Sequence, residues 1–281
     1  MKPEIKKGSE WALILGASSG FGAATALELA KCGYNIIGVH LDRQATMPLV
    51  QDLIKQIKHA GVKTIFYNIN AADSIKRNET LDDIQEQFET EINPTIKVLM
   101  HSLAFGSLKP FIAEKEGDII TQAQMEMTID VMANSLVYWV QGLISRKLMK
   151  YGGRIIGMTS SGGHTVIPYY GAVSAAKACL QSHIRQLAME LGPMGITANA
   201  VMAGVTETPA LKKIPSSNSM LELAREKNPM GRLTTPQDVA KFISLLVQDN
   251  AQWVNGNVIG VDGGEDVVGF FELKKIVPIN K

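Results

Sequence analysis

Residues 11–22 read WALILGASSGFG, an apolar run that passes directly into a glycine-rich turn. The run Trp11–Leu15 predicts a buried strand, and Gly20–Cys32 after the turn has the length and pattern of a helix. Glycines in such a turn let the backbone approach a diphosphate closely, and the helix N-terminus offers free N–H groups to the anion. Between a strand and a helix, this turn therefore predicts a dinucleotide-binding fold.

The same alternation of strand and helix continues along the chain. Because each helix must return the chain to the same edge of the sheet, the strands are expected to be parallel. Seven strands and at least six helices predict a single α/β domain over residues 1–281, with a Rossmann-type doubly wound parallel sheet and a core over residues 10–264. The predicted strands are Trp11–Leu15, Asn35–Leu41, Thr64–Ile69, Ile96–His101, Arg154–Thr159, Ile196–Met202 and Val258–Val261. The predicted helices are Gly20–Cys32, Met47–Ala60, Ile75–Thr90, Ile129–Lys150, Ser174–Gly192 and Pro236–Gln248.

The chain has 281 residues, of which 46% are hydrophobic and 20% are charged, and its net charge is +1. This is enough apolar material for a sizeable core, and it excludes a disordered chain. The balanced charge lacks the basic field that nucleic-acid binding needs, and no apolar stretch is long enough for a transmembrane helix. Cys32 and Cys179 have no metal-ligand spacing and are typical of reduced thiols. We therefore expect a cytoplasmic protein without a metal site and with neither nucleic acid nor membrane as a partner.

The end of the second strand bears on the choice of coenzyme. An acidic residue there selects NAD, whereas a basic residue accommodates the additional phosphate of NADP. His40 stands where an Asp would close the strand, and Arg43 follows as a candidate phosphate clamp, since a guanidinium pairs two phosphate oxygens. Asp42 between them could repel that phosphate, and Arg43 could equally be a solvated surface residue. The pattern favours NADPH, with NADH as the alternative.

A second polar segment follows the fifth strand. It reads TSSGG at residues 159–163 and resumes as YYGAVSAAK at residues 169–177. Positions seven apart on a helix differ by about two full turns, so Tyr170 and Lys177 can share one face if the helix begins by Tyr170. They would then lie about 10 Å apart along the helix axis, and Tyr169 would fall about 100° round from that face.

These motifs, together with VDGG at residues 261–264, resemble the short-chain dehydrogenase/reductase family. The resemblance covers residues 10–264, nearly the whole chain. It implies the fold already inferred, usually assembled as a homotetramer.

Two departures from the common family pattern resemble one branch, the enoyl-acyl carrier protein reductases of bacterial fatty acid biosynthesis. Six residues instead of three separate Tyr170 and Lys177, so that Val173 stands at the usual tyrosine position. HSLAFG at residues 101–106 replaces the usual Asn-Asn-Ala-Gly. The branch implies NAD(P)H-dependent reduction of a trans-2-enoyl thioester of acyl carrier protein or coenzyme A. Ser160 resembles the dehydrogenase-like subgroup of that branch, which prefers NADPH.

The wider spacing suits this chemistry. An enoyl thioester receives hydride at its β-carbon while negative charge develops on the thioester oxygen, so a hydroxyl donor further from the lysine meets that oxygen. The resemblance implies that Tyr170 is this donor, that Lys177 holds the nicotinamide ribose, and that Ser160 is the third catalytic residue. It implies coenzyme contacts at Gly16, Ser18, Ser19, Gly20, Phe21, Gly22, His40, Arg43, Asn68, Ile69, Ser102, Leu103, Ala104, Lys177, Gly204 and Thr208.

A third departure lies in the long helix that precedes the fifth strand. Where the wider family carries an Asn, this chain has Met132, with Asn134 two residues on. The resemblance therefore does not imply the usual water and proton relay of the family.

The segment Val205–Asn228 interrupts the strand and helix pattern, because it is polar, contains prolines and is rich in serine. A loop of this length in a compact domain is usually functional, and we expect a substrate lid. The tail, residues 265–281, carries Phe270 and Phe271, which suggest packing on a partner subunit. The residues of the lid whose spacing fits an acyl tunnel are Leu211, Ile214, Met220 and Leu223.

Two other functions remain open. A carbonyl or alcohol dehydrogenase of the same family would act on a 3-oxoacyl, steroid or sugar substrate, but Val173 and the His-Ser segment count against it. A catalytically inactive dinucleotide-binding regulator belongs to a different class of function. The intact Ser160, Tyr170 and Lys177 argue against that regulator.

Overall fold

The computed structural model describes residues 9–215 and 217–269. Seven parallel strands form one sheet, and the ends of each strand lie within one residue of the predicted ends. The strands are β1 (Glu10–Leu15), β2 (Asn35–His40), β3 (Thr64–Asn68), β4 (Thr95–His101), β5 (Arg154–Thr159), β6 (Thr197–Ala203) and β7 (Val258–Val261). Their order is β3-β2-β1-β4-β5-β6-β7, which confirms the predicted doubly wound, Rossmann-type α/β sheet.

Helices cover both faces of the sheet, and an apolar cluster fills each of the two layers. Leu13 and Leu99 belong to one cluster, and Ile14 and Val98 belong to the other. Because successive strand residues point to opposite faces, a strand buried on both sides reads as a continuous apolar run. The helices are α1 (Gly20–Lys31), α2 (Met47–His59), α3 (Ser74–Glu89), α4 (Gln122–Ile129), α5 (Ser135–Ser145), α6 (Gly171–Leu191), α7 (Ser217–Lys227) and α8 (Pro236–Leu246).

The prediction of one long helix over Ile129–Lys150 is wrong. The structure has α4, then a π-turn over Asp130–Asn134, then α5. The helical region begins earlier than predicted because Thr121 forms a capping box with Gln124. It ends earlier because Lys147 adopts a left-handed φ of 57°.

The prediction that Val205–Asn228 is a loop throughout is also wrong. The segment contains a short 3₁₀ turn, Leu211–Lys213, and the whole of α7. Within α7 only Ala224 is buried, so the helix lacks the apolar stripe that periodicity needs in order to reveal it.

The strand order places a crevice at the carboxyl ends of β1 and β4. β1 lies between β2 and β4, so the direction of winding reverses at this point, which is the usual ligand position in open α/β sheets. The Ser102 N–H donates to the carbonyl oxygen of Leu15 at 2.9 Å and joins the two loops at the base of the crevice.

Within residues 9–215 and 217–269, no helix combines the length and apolarity required to cross a bilayer. The same ranges contain no group of three His, Cys, Asp or Glu side chains arranged to hold a metal ion. The expected packing of Phe270 and Phe271 on a partner lies outside the described residues.

Candidate active site

Two positions in the glycine-rich turn after β1 have no room for a side chain. Gly16 has a φ of +88°, and a Cβ on it would lie 2.5 Å from the carbonyl oxygen of Ser102. A Cβ on Gly22 would lie 2.0 Å from the carbonyl oxygen of Gly16. Both positions therefore require glycine, and the turn presents backbone rather than side chains there.

The N-terminus of α1 is available to an anion. Its N-cap, Ser19, is exposed and makes no side-chain hydrogen bond to the first turn. The first N–H groups of α1 thus lack a side-chain partner, and the helix dipole adds partial positive charge there. We call the turn and this helix end, residues 16–22, the dinucleotide cradle, because its shape and donors fit the diphosphate of a nicotinamide dinucleotide.

A hydrogen-bonded group of side chains surrounds Asp42 beyond the end of β2. Nδ1 of the buried His40 ring lies 3.0 Å from one carboxylate oxygen, and Thr46 Oγ1 donates to the other at 2.8 Å. Burial alone would raise the pKa of Asp42, but hydrogen bonds from Ser18, Thr46 and His40 lower it. Asp42 is therefore ionised at neutral pH and bound to the dinucleotide cradle through Ser18.

Asn68 joins the ends of β2 and β3 beside this group. Its Oδ1 accepts a hydrogen bond from the Asp42 N–H at 2.9 Å, and its Nδ2 donates to the Asp42 carbonyl oxygen at 3.0 Å. The Ile69 N–H donates to the carbonyl oxygen of His40 at 2.8 Å. Arg43 is exposed, and its guanidinium makes no hydrogen bond or ion pair with the described residues.

Tyr170 and Ser160 lie together at the end of β5. α6 begins at Gly171, three residues before the predicted start, and Tyr170 is its N-cap. The Tyr170 hydroxyl lies 3.4 Å from Ser160 Oγ. Burial raises the pKa of Tyr170, and the hydrogen bond with Ser160 partly offsets that increase. The hydroxyl therefore keeps its proton at neutral pH and can donate a hydrogen bond.

Lys177 is buried two turns along the same helix, with 6% of its surface exposed. Its Nζ donates to the carbonyl oxygen of Met158 at 2.7 Å. Burial lowers the pKa of Lys177 to about 8, so the amine is protonated in most molecules at pH 7. An ammonium held by one backbone acceptor retains two further N–H donors for a ligand.

The position between Tyr170 and Lys177 that carries the usual family tyrosine is apolar. Val173 packs with Met132 in a small buried cluster, and the Tyr170 ring rests against the same cluster. A Cβ on Gly106 would lie 2.9 Å from Val173 Cγ2, so the loop after β4 covers this cluster closely. The Tyr170 hydroxyl is thus displaced along the helix from Lys177, and the position between these two residues is occupied by an apolar side chain.

The polar residues on neighbouring elements have partners of their own. His101 is fully buried, its Nε2 lies 2.8 Å from Ser135 Oγ, and burial together with the charge of Lys177 lowers its pKa to about 3. The imidazole is therefore neutral. Oδ1 of Asn134 accepts a hydrogen bond from His183 Nε2 at 3.0 Å, so this amide oxygen is already engaged.

The segment after β6 crosses the crevice next to the dinucleotide cradle. A Cβ on Gly20 would lie 3.5 Å from Thr208 Cγ2, so Thr208 faces the cradle. Thr208 Oγ1 accepts a hydrogen bond from the Leu211 N–H at 3.2 Å, and Thr206 Oγ1 donates to the carbonyl oxygen of Gly204 at 2.9 Å. These contacts fix the local shape of the segment where it passes the cradle.

The predicted coenzyme residues lie along the carboxyl edge of the sheet, but the side chains of four of them pack toward the protein interior. His40 is buried, while Phe21, Ile69 and Leu103 pack against the two apolar clusters, so their backbone groups are the candidates for ligand contact. The other predicted residues lie in the loops after β1, β2, β4 and β6, at the start of α1, at the end of β3 or on α6, and they are Gly16, Ser18, Ser19, Gly20, Gly22, Arg43, Asn68, Ser102, Ala104, Lys177, Gly204 and Thr208.

Two features of the site are absent from the sequence-based prediction. One is the hydrogen bond between Ser18 and the Asp42 carboxylate, which spacing along the chain does not reveal. The other is Glu265, whose carboxylate accepts the Val205 N–H at 3.1 Å. An acidic residue directly after Gly263-Gly264 is the one signal that the sequence carries for it.

Comparisons with known proteins show the family to which the chain belongs. The family described as Enoyl-(Acyl carrier protein) reductase matches residues 16–265. The chloroplastic NADPH-dependent aldehyde reductase-like protein of Arabidopsis thaliana is 27% identical over 270 residues, which cover 94% of this chain and 96% of the relative. The NADH-dependent enoyl-[acyl-carrier-protein] reductase of Bacillus cereus is 28% identical over 243 residues, which cover 77% of this chain and 91% of the relative.

Among solved structures, the enoyl-acyl-carrier-protein reductase of Anaplasma phagocytophilum in complex with NAD matches with a TM-score of 0.79. It is 21% identical in sequence, and the match covers 96% of each chain. The chain therefore belongs to the short-chain dehydrogenase/reductase family, close to its enoyl-acyl carrier protein reductases. It is an oxidoreductase with the nicotinamide-dinucleotide-binding fold of that family.

Proposed function

We propose that the protein is an enoyl-[acyl-carrier-protein] reductase that uses NADPH to reduce the carbon–carbon double bond of trans-2-enoyl thioesters in fatty acid biosynthesis. The observation that carries this proposal is the position of the donor hydroxyl. Tyr170 precedes the first turn of α6, whereas the position four before Lys177 is the buried, apolar Val173. A hydroxyl displaced in this way suits a thioester oxygen two carbons from the point where hydride arrives.

Tyr170 stabilises the charge that develops on the substrate. Its raised pKa keeps the hydroxyl protonated, so that it can donate a hydrogen bond to the thioester oxygen as this becomes an enolate. Ser160 Oγ lies 3.4 Å from this hydroxyl and is a hydrogen-bond partner that holds it in place.

Lys177 supplies a fixed positive charge. With Nζ anchored on the Met158 carbonyl oxygen, its remaining N–H groups are free to bind the ribose hydroxyls of the coenzyme. In a buried setting of low dielectric constant the ammonium also favours nearby negative charge. The bound nicotinamide supplies the hydride.

Apolar side chains around the crevice would contact the acyl chain of a thioester of acyl carrier protein or coenzyme A. Leu108 packs with the buried Met132 and Val173 in the same cluster as the Tyr170 ring. Phe111 packs on the start of α6, where a Cβ on Gly171 would lie 2.5 Å from its ring. These groups offer an apolar substrate a surface on which it can exclude water from the reaction.

Crotonyl and acetoacetyl thioesters of one carrier test the proposal. Oxidation of NADPH by the purified protein should be faster with crotonyl thioester, because only this substrate has a carbon–carbon double bond, whereas acetoacetyl thioester offers a ketone. Since the carrier is the same, the ratio of the two kcat/KM values reports the reaction rather than carrier binding. Faster turnover of acetoacetyl thioester would replace the proposal with carbonyl reduction.

A carbonyl or alcohol dehydrogenase is the second candidate. The contact that favours it is the 3.4 Å approach of Ser160 Oγ and the Tyr170 hydroxyl, since a pair of hydroxyls can also bind a ketone oxygen. The Arabidopsis relative is named for aldehyde reduction. The apolar Val173 gives this candidate less support than the first.

For the coenzyme, we expect Arg43→Ala to raise the KM for NADPH by roughly ten- to a hundredfold, the range for a lost hydrogen bond between charged groups. Arg43 directly follows Asp42 in the chain, and its guanidinium is exposed and has no hydrogen bond or ion pair with the described residues. The KM for NADH should change little. Steady-state kinetics with both coenzymes measure the difference.

Arg185→Ala is the matched control for this experiment, because Arg185 is exposed on α6 and should leave both KM values unchanged. Equal efficiency of NADPH and NADH in the parent protein would count against the assignment. The ionised Asp42 would then be the side chain that decides the coenzyme, by repelling the additional phosphate.

An apolar surface beside β7 supports a contact between copies of the chain, as in the homotetramer that we propose for this protein. β7 is an edge strand of the sheet. Trp253 is 98% exposed, and Leu245 and Val258 next to it are also exposed. Contiguous apolar surface of this kind usually marks a protein contact, and a second copy of the chain would cover the open edge.

Trp253→Asp should therefore shift the assembly toward smaller species, because an interface tryptophan commonly contributes about 2 kcal/mol or more to association. Light scattering after size-exclusion chromatography measures the mass. Leu49→Asp, at a similarly exposed position on α2, is the control and should leave the mass unchanged. A monomeric parent protein would contradict the proposed assembly.

A further inference from the structure

The turn after β7, residues 262–266, contacts both ends of the lid segment, residues 205–228. Glu265 accepts the Val205 N–H with both carboxylate oxygens, at 3.1 and 3.2 Å. At the other end, Asn228 Nδ2 donates to the carbonyl oxygen of Asp262 at 2.7 Å. One short turn therefore holds the first and the last residue of the lid segment.

Both contacts are buried. Glu265 is 8% exposed, and Asn228 is 3% exposed. The carboxylate packs directly on Gly204, where a Cβ would lie 2.9 Å from Oε2. A larger residue at position 204 would therefore push the carboxylate away from Val205.

The turn after β7 is stabilised by hydrogen bonds within it and contacts the loop that carries Ser160. The Asp262 carboxylate accepts the Gly264 N–H at 3.0 Å and the Asp266 N–H at 2.9 Å. The Asp266 carboxylate lies 3.0 Å from Nε2 of His164, four residues after Ser160. The lid segment and the catalytic loop thus share one support.

We propose that Glu265 is a positioning residue of the active site, whose carboxylate fixes the segment that passes the dinucleotide cradle. The inference rests on the proposed reductase function, because Thr208, three positions after Val205, faces the cradle. Release of Val205 would let Thr208 move away from the cradle. Through Asp262 and Asn228 the same turn sets the other end of the lid segment.

Burial raises the pKa of Glu265, and the hydrogen bond from the Val205 N–H opposes that increase. Protonation removes the charge and turns one acceptor oxygen into a donor. Because the pKa is raised in the folded protein, the buried carboxyl binds a proton more tightly than an exposed carboxyl would, so a fall in pH does not by itself open the two ends of the lid segment. The charged or titratable groups that face Glu265 or share its turn are Asp262, Lys227 and Asp266, and Asp266 in turn contacts His164.

Hydrogen exchange of the protein without coenzyme tests the inference. In Glu265→Ala, amides of residues 204–212 and 222–229 should exchange about tenfold faster, because a buried hydrogen bond to a charged group is lost. The amides of β1 and β5 should keep their protection. Coenzyme affinity, measured by fluorescence titration, should weaken about tenfold as well, while the melting temperature changes little.

Glu265→Gln decides the matter if the alanine variant does not fold. The amide retains one acceptor oxygen but not the charge, so both ends of the lid segment should exchange a few-fold faster than in the parent. Because the folded protein raises the pKa of Glu265, the protection of these amides in the parent should not fall toward acid pH, after correction for chemical exchange. Glu91→Gln is the matched control, because Glu91 binds Lys63 at 2.5 Å, is not part of the crevice and should leave the lid ends unchanged.

Unchanged exchange at both lid ends in Glu265→Ala overturns the inference. A uniform loss of protection across the sheet also overturns it, since this would show a general structural role. Neither readout requires turnover. A parent protein inactive on crotonyl thioester would defeat the proposed function without altering the exchange result, and an active parent with insensitive lid ends would defeat this inference alone.

Discussion

Tyr170→Phe is expected to lower turnover with crotonyl thioester by about a hundred- to a thousandfold, the usual result of removing one oxyanion donor. The substitution removes the hydroxyl that lies 3.4 Å from Ser160 Oγ and leaves the ring on its apolar cluster. Coenzyme affinity should survive, because Lys177 is held by Met158 rather than by the tyrosine. Steady-state kinetics and a fluorescence titration of coenzyme separate the two effects.

Tyr169→Phe is the matched control. Tyr169 is about half exposed and has a left-handed φ of 63°, and no hydrogen bond of its hydroxyl to the described residues is found. Its loss should leave turnover within a few-fold of the parent. If Tyr169→Phe were the more damaging change, Tyr170 would not be the donor and the enoyl assignment would lose its main support.

Gly22→Ala should weaken coenzyme binding by about a hundredfold or more, a loss that misplacement by about 1 Å can cause. The new Cβ would lie 2.0 Å from the carbonyl oxygen of Gly16, and because that oxygen belongs to the backbone and the Cβ is fixed to it, the dinucleotide cradle itself must shift. Fluorescence titration of coenzyme measures the loss, and circular dichroism checks that the variant is folded.

Gly117→Ala provides the comparison, because a Cβ at Gly117 has open space around it and the residue does not need a positive φ. Coenzyme affinity should be unchanged in this variant. Normal coenzyme affinity in folded Gly22→Ala would show that the cradle is not where the diphosphate binds.

The sheet was predictable because its strands are buried on both faces. In β1 the residues from Trp11 to Leu15 are all buried, and the sequence shows this as an unbroken apolar run. The division of the Ile129–Lys150 region was not predictable, since its apolar pattern continues through the π-turn. α7 was not predicted for the opposite reason: it buries so few side chains that its sequence has no periodic apolar pattern.

The site was predictable where a residue must take a particular backbone shape or helix face. Gly16 and Gly22 are recognisable because nothing larger fits, and Tyr170 and Lys177 are recognisable from their spacing. Contacts between loops that are far apart in the sequence have no comparable sequence signal. Glu265 reaches back 60 positions to Val205, and only the fold brings the two together.

The turn that holds Val205 and Asn228 also bears on how such an enzyme can diverge. With both ends fixed to one support, insertions or deletions beyond Leu211, whose N–H holds Thr208, leave the dinucleotide cradle undisturbed. Doubling the length of a loop costs only about 0.6 kcal/mol in closure entropy. Residues 212–227 can therefore change length and composition in descendants of this chain, and new substrate specificities can evolve beside an unaltered coenzyme site.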